Sequence, residues 1–110
     1  MQVLENELVV CFDVDGTLIT PADDGPIKLP YAGKISSFSA LQAHVDLLKS
    51  YNERGFTVIV WSMGGHSHAK KVVEALKLER FVDIVMSKPN KYVDDKEDLP
   101  SILGTRVFIA

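Results

Sequence analysis

CFDVDGTLIT (residues 11–20) sets two aspartates one residue apart at the end of an apolar run and follows them with Gly-Thr. In an extended segment, residues i and i+2 share a face, so Asp13 and Asp15 can both point into one site. Gly16 then permits a tight turn and a close backbone approach. Two unit charges about 4 Å apart interact at about 4 kcal/mol at an effective dielectric of about 20. A carboxylate pair this dense therefore calls for compensating positive charge.

The run before the aspartates, LVVCF (8–12), is continuous and unalternating, and so are TVIVW (57–61), FVDIVM (81–86) and RVFIA (106–110). Short β-rich runs of this kind suit strands buried on both faces of a parallel sheet. KYV (91–93) is a weaker fifth strand. Cys11 lies inside the first run and is expected to be buried and inert. Apolar residues at Leu41, Val45, Leu48 and Tyr51 predict a helix from about Ser37 to Arg54, capped by Ser36 or Ser37 and closed by Gly55. Ala69, Val72, Val73, Leu76 and Leu78 predict a second, from about Ser67 to Glu79. Strands alternating with helices indicate an α/β fold, a parallel sheet flanked by helices with right-handed crossovers. TPADDGPIKLPYAGKI (20–35), with three prolines and two glycines, is expected to be a loop or a small flap.

The 110 residues, 46% hydrophobic and 25% charged, suit a single domain over 1–110. A net charge of −3 supplies no basic field to draw nucleic acid or an anionic membrane. A nucleic-acid end stays open as a substrate. The single cysteine excludes an internal disulfide. No apolar stretch approaches the roughly 18 residues of a membrane span. The acidic start MQVLENELVV lacks the basic region of a secretory signal, so the cytoplasm is the expected compartment.

In open α/β sheets, ligands bind beyond the carboxyl ends of the strands. Asp13 and Asp15 end the first run and Ser62 the second. Lys88 lies just past the third, and Asp94 and Asp95 follow KYV. An acid pair, a hydroxyl, a cation and a second acid pair are thereby expected at one sheet edge. A hard, all-oxygen site of this kind suits Mg²⁺, completed by water and phosphate.

The motifs DVDGT (13–17), VIVWS (58–62), SKP (87–89) and YVDD (92–95) resemble, in order, the four motifs of the haloacid dehalogenase (HAD) superfamily of phosphatases and phosphotransferases. The resemblance spans residues 8 to 95. It implies a three-layer, Rossmann-like, HAD-like domain, here small and without a cap. Asp13 would form an aspartyl-phosphate, and Asp15 would protonate the leaving oxygen and then activate water. Mg²⁺ would be held by Asp13, the Asp15 carbonyl and the Asp94–Asp95 pair, while Ser62, the Met63 amide and Lys88 would hold the transferring oxygens. Only five residues separate Lys88 from Asp94, too few for the helix that most members place there. Lys91 consequently stays beside Lys88 as the alternative cation.

Plainer readings stand beside these. Ser62 can be a strand terminator, Asp94–Asp95 a solvated turn, and Asp23–Asp24 loop charges. His66 and His68, two apart, are poorly spaced to share a ligand on a helix, although His66 can reach a substrate. The leading function is a Mg²⁺-dependent phosphomonoester phosphatase acting on a small or bulky phosphorylated substrate. Its alternatives are a nucleotide or polynucleotide phosphatase or phosphotransferase of the same fold, a receiver-like phosphoacceptor, and a non-catalytic binding module. Without a cap, the site is expected to be open and weakly selective among small phosphates.

Overall fold

The computed structural model describes residues 5–95, 104 and 107. Six strands and two helices occur among them, in the order β1 (Val9–Phe12), β2 (Ile19–Pro21), β3 (Ile27–Tyr31), β4 (Lys34–Ala40), α1 (Gln42–Glu53), β5 (Thr57–Ser62), α2 (His66–Ala75) and β6 (Ile84–Ser87). The protein is α/β, with one parallel sheet, β1-β5-β6, and one antiparallel sheet, β2-β4-β3.

β5 is the middle of the parallel sheet, with Phe12 beside Val60 on one side and Ser87 beside Ser62 on the other. Its alternate residues Val58 and Val60 join one core with Val45 and Leu48 of α1 and Ala69, Val72 and Val73 of α2. Asp83 locks β6 to this strand, its carboxylate accepting the Val58 N–H at 2.8 Å while its own N–H donates to the Val58 carbonyl at 2.9 Å. Among the described residues no helix is long and apolar enough to cross a membrane.

The parallel sheet departs from expectation at its rim. β1 has β5 on one side only within the described sheet, and Cys11 is exposed rather than buried. Packing around its sulfur still raises the thiol pKa above the ordinary value by desolvation. Residues 91–93 form no strand. The strand expected at 106–110 lies outside the described residues, apart from Val107, which is exposed.

Of the loop or small flap expected at 20–35, only 22–26 lacks strand structure; the rest belongs to the antiparallel sheet, in which β4 pairs with β2 and β3, or to its β3–β4 turn. Pro21 and Pro30 sit on the two outer strands, where a missing N–H need not break the ladder. Ala32 (φ +53) and Gly33 (φ +82) form the two-residue turn between β3 and β4, both left-handed as a type I′ turn requires. Gly25 passes so close to the Phe38 backbone that an added Cβ would lie 2.3 Å from its carbonyl oxygen. Ser36 and Ser37 therefore pair in β4 instead of capping α1, which begins behind Leu41. Ile19, Leu29 and Phe38 pack this sheet into the common core. The second helix is shorter than its periodicity predicts. Lys77 turns the chain at φ +56, and the Leu78 N–H returns to the Val73 carbonyl at 3.0 Å, burying the Leu78 side chain completely.

Candidate active site

Beyond β1 the chain folds back on itself. The Val14 carbonyl accepts the N–H of Thr17 at 3.2 Å and of Leu18 at 2.8 Å, and Gly16, at φ +81, donates to the Ile19 carbonyl at 2.8 Å. Val14 and Leu18 are fully buried in the core. Alternation then leaves Asp13 and Asp15 outward, with side chains 36% and 41% exposed.

Each carboxylate has its own partner. Lys88, just past β6, is anchored by its N–H donating to the Ser62 carbonyl at 2.9 Å, and its Nζ lies 3.2 Å from Asp13 Oδ1. Lys91 is exposed three residues further on. Geometry thus puts Lys88, of the two lysines, at the aspartate. Asp15 Oδ1 lies 3.0 Å from His68 Nε2, in the first turn of α2. That helix has no side-chain cap of its own; Ser87 supplies one from β6, its Oγ accepting the His66 N–H at 3.0 Å. Such a contact fixes the helix start and hence His68.

Ser62 is buried, and its Oγ accepts the Gly64 N–H at 2.9 Å. The strand-terminating role is thus filled, while the hydroxyl proton is still available for donation. Met63 follows at 79% exposure. Asp94 and Asp95 are exposed, beyond a stretch without regular structure. Among the described residues no group of three or more His, Cys, Asp or Glu stands close enough to hold a metal ion, so the two acid pairs are not gathered into one cluster. Asp13 and Asp15 nonetheless offer the hard oxygens that Mg²⁺ prefers.

His68 is the residue that sequence spacing does not single out. It stands 53 positions from Asp15 and meets it only because β5 and α2 return the chain to the end of β1. A weak signal exists, in that it falls in the first turn of the helix that follows the central strand.

A family described as "Protein of unknown function (DUF705)" matches residues 2–108. The chain belongs to the DUF705 family. Relatives of this DUF705 protein include an uncharacterized 38.0 kDa protein from the P143-LEF5 intergenic region of Autographa californica nuclear polyhedrosis virus, 29% identical over 91 residues. That alignment covers 83% of this chain and 25% of the viral protein. An uncharacterized 41.0 kDa protein from the same intergenic region of Cryptophlebia leucotreta granulosis virus is 32% identical over 94 residues, covering 82% of this chain and 24% of its own length. The chain thus spans about a quarter of these curated relatives. No solved structure matches it.

This membership corrects the expectation of a haloacid dehalogenase superfamily protein. Four motifs of three to five residues carried that expectation, whereas the DUF705 match runs nearly end to end. Short carboxylate, hydroxyl and lysine motifs at strand ends reflect a chemistry that recurs on unrelated frames, so they do not define ancestry.

Proposed function

We propose that this DUF705 protein is a Mg²⁺-dependent phosphomonoester phosphatase that works through an aspartyl-phosphate on Asp13, carried on a Rossmann-like frame. The observation that carries the reading is the unequal partnering of two adjacent carboxylates, Asp13 with a permanent cation and Asp15 with an imidazole. Lys88 beside Asp13 draws a phosphate dianion to the nucleophile and stabilises its oxygens during transfer. His68 holds Asp15 in one orientation, as a general acid–base carboxyl requires.

In the first half-reaction an Asp13 carboxylate oxygen bonds to phosphorus. The bond to the ester oxygen breaks, its electron pair stays on that oxygen, and Asp15 gives it a proton. In the second, water bonds to phosphorus, passes a proton back to Asp15, and frees the Asp13 carboxylate. Ester and water thus yield alcohol and phosphate, with Asp13 and Asp15 regenerated. The Ser62 hydroxyl and the Met63 amide are the other donors for the phosphoryl oxygens. Asp13 and the Asp15 carbonyl are the groups at the β1 turn that would hold Mg²⁺, with water and phosphate completing its shell; Asp94 and Asp95 are not gathered with them. When bound, the ion neutralises charge on the transferring phosphoryl group.

Release of phosphate from a panel of phosphomonoesters, with Mg²⁺ or with EDTA, tests the reading. Turnover that needs Mg²⁺ and is lost in Asp13→Asn is the expected result. Self-labelling without turnover would indicate a phosphoacceptor module. Turnover undiminished by Asp13→Asn would remove the mechanism.

A further inference from the structure

The antiparallel sheet closes a pocket of about 240 Å³ directly against Asp15, lined by Asp15, Pro21, Tyr31, Ser36 and Phe38. Apart from Asp15 and Ser36, the residues lining it are a proline and two aromatic residues. Phe38 is buried in the core and meets Tyr31 edge-on at 6.0 Å between ring centres. Tyr31, 48% exposed, also packs against the His68 ring at 5.9 Å. Three rings therefore run in series from the core of the hairpin to the partner of Asp15.

A surface tyrosine held between two other rings has little freedom left to lose when a ligand arrives, and it offers a face or edge to another ring. Among the described residues no lysine or arginine lines the cavity, so nothing in that wall recruits a second negative charge. It is smaller than the roughly 300–1,000 Å³ that drug-sized ligands occupy, which suits one ring rather than several.

We infer that this pocket is the leaving-group subsite and that it receives a single aromatic ring esterified to the phosphate, an aryl phosphomonoester. The inference rests on the phosphatase reading, in which Asp15 faces the leaving oxygen. Because the cavity begins at Asp15 itself, a ring attached directly to that oxygen reaches Tyr31 without a spacer. When the phosphorus–oxygen bond breaks, the phenolic oxygen keeps the electron pair, takes the Asp15 proton and departs as a neutral phenol. The phosphoryl group is by then bonded to Asp13. This subsite replaces the weak selectivity expected of an open site with a preference for rings.

Binding of benzylphosphonate and propylphosphonate, neither of which can be hydrolysed, tests the subsite in the presence of Mg²⁺. The ring compound should bind about tenfold more tightly to the wild-type protein. Tyr31→Ala should remove that difference, and Tyr31→Phe, which keeps the ring, should preserve it and guard against a simple loss of fold. Equal affinities in the wild type, or a difference that survives Tyr31→Ala, would overturn the inference. Turnover of phenyl phosphate and of a phosphotyrosine peptide, measured alongside, separates the two claims. Ring preference without turnover of either removes the phosphatase and the leaving-group role with it, and leaves only a ring-binding pocket; turnover without ring preference removes the subsite and keeps the phosphatase. The larger kcat/KM of the two esters shows whether the ring comes from a free aryl ester or a protein side chain.

Discussion

The two sheets differ in how much of each strand is available for function. β5, the middle of the parallel sheet, is buried along almost its whole length, whereas β4, the middle of the antiparallel sheet, buries only Phe38. A strand covered throughout can present polar groups only at its end, where Ser62, Lys88 and the aspartates of the neighbouring β1 turn are found. A half-exposed hairpin can present side chains along its flank, and it presents Tyr31 and the rim of the cavity. In the proposed reading the end of the parallel sheet carries charge and reaction, and the hairpin carries shape. Substitutions at the end of the parallel sheet should therefore lower kcat for every ester, while those in the hairpin should change which ester is preferred.

The largest effect short of removing the nucleophile is expected at Lys88. Lys88→Ala should lower kcat/KM about 100-fold for ring and alkyl phosphates alike, since it withdraws a charge from the transferring oxygens. Lys91→Ala should cost far less. The reverse ranking, read from steady-state kinetics on the two variants, would break the assignment made from the 3.2 Å contact with Asp13.

His68 lies where the two regions meet, touching Asp15 on one side and Tyr31 on the other. His68→Ala should lower kcat about tenfold with KM little changed, because Asp15 loses its orienting partner. His68→Gln, which can still hydrogen-bond, should recover part of the loss. A change confined to KM for ring esters would instead assign His68 to the hairpin wall.

The smallest effect is expected on stability alone. Gly33→Ala places a Cβ at φ +82 in the β3–β4 turn and should cost about 1 kcal/mol, seen as a lower denaturant midpoint. Turnover of alkyl esters should fall no further than the fraction unfolded. A larger loss would mean that the hairpin takes part in the reaction.

How far the sequence discloses this arrangement depends on the sheet. TVIVWS is apolar without interruption because both faces of β5 are covered, and a run of that kind reads directly as a buried strand. The positions of Asp13, Asp15, Ser62 and Lys88 at strand ends follow from the same reading. The hairpin is harder to see because its prolines and glycines are loop signals that here have other causes: outer-strand positions for Pro21 and Pro30, a left-handed turn at Gly33, and contact with Phe38 at Gly25. The I-K-L alternation at Ile27–Leu29 is the strand signal they obscure. Cys11 reads as buried because composition does not reveal strand order, and β1 lies at the rim of the described sheet. His68 has only a weak local signature, its place in the first turn of α2; the crossover through α2 is what brings it to Asp15.

The central claim is that Asp13 carries the phosphoryl group. The direct measurement is mass spectrometry of the protein acid-quenched during turnover of phenyl phosphate with Mg²⁺, with the modified peptide located by digestion. A hydroxylamine-labile phosphoryl group on Asp13, accumulating when Asp15→Asn slows its hydrolysis and absent from Asp13→Asn, is the predicted result. Continued turnover with the phosphoryl group found on Ser62, His66 or His68, or with Asp13 unlabelled even in Asp15→Asn, would contradict it.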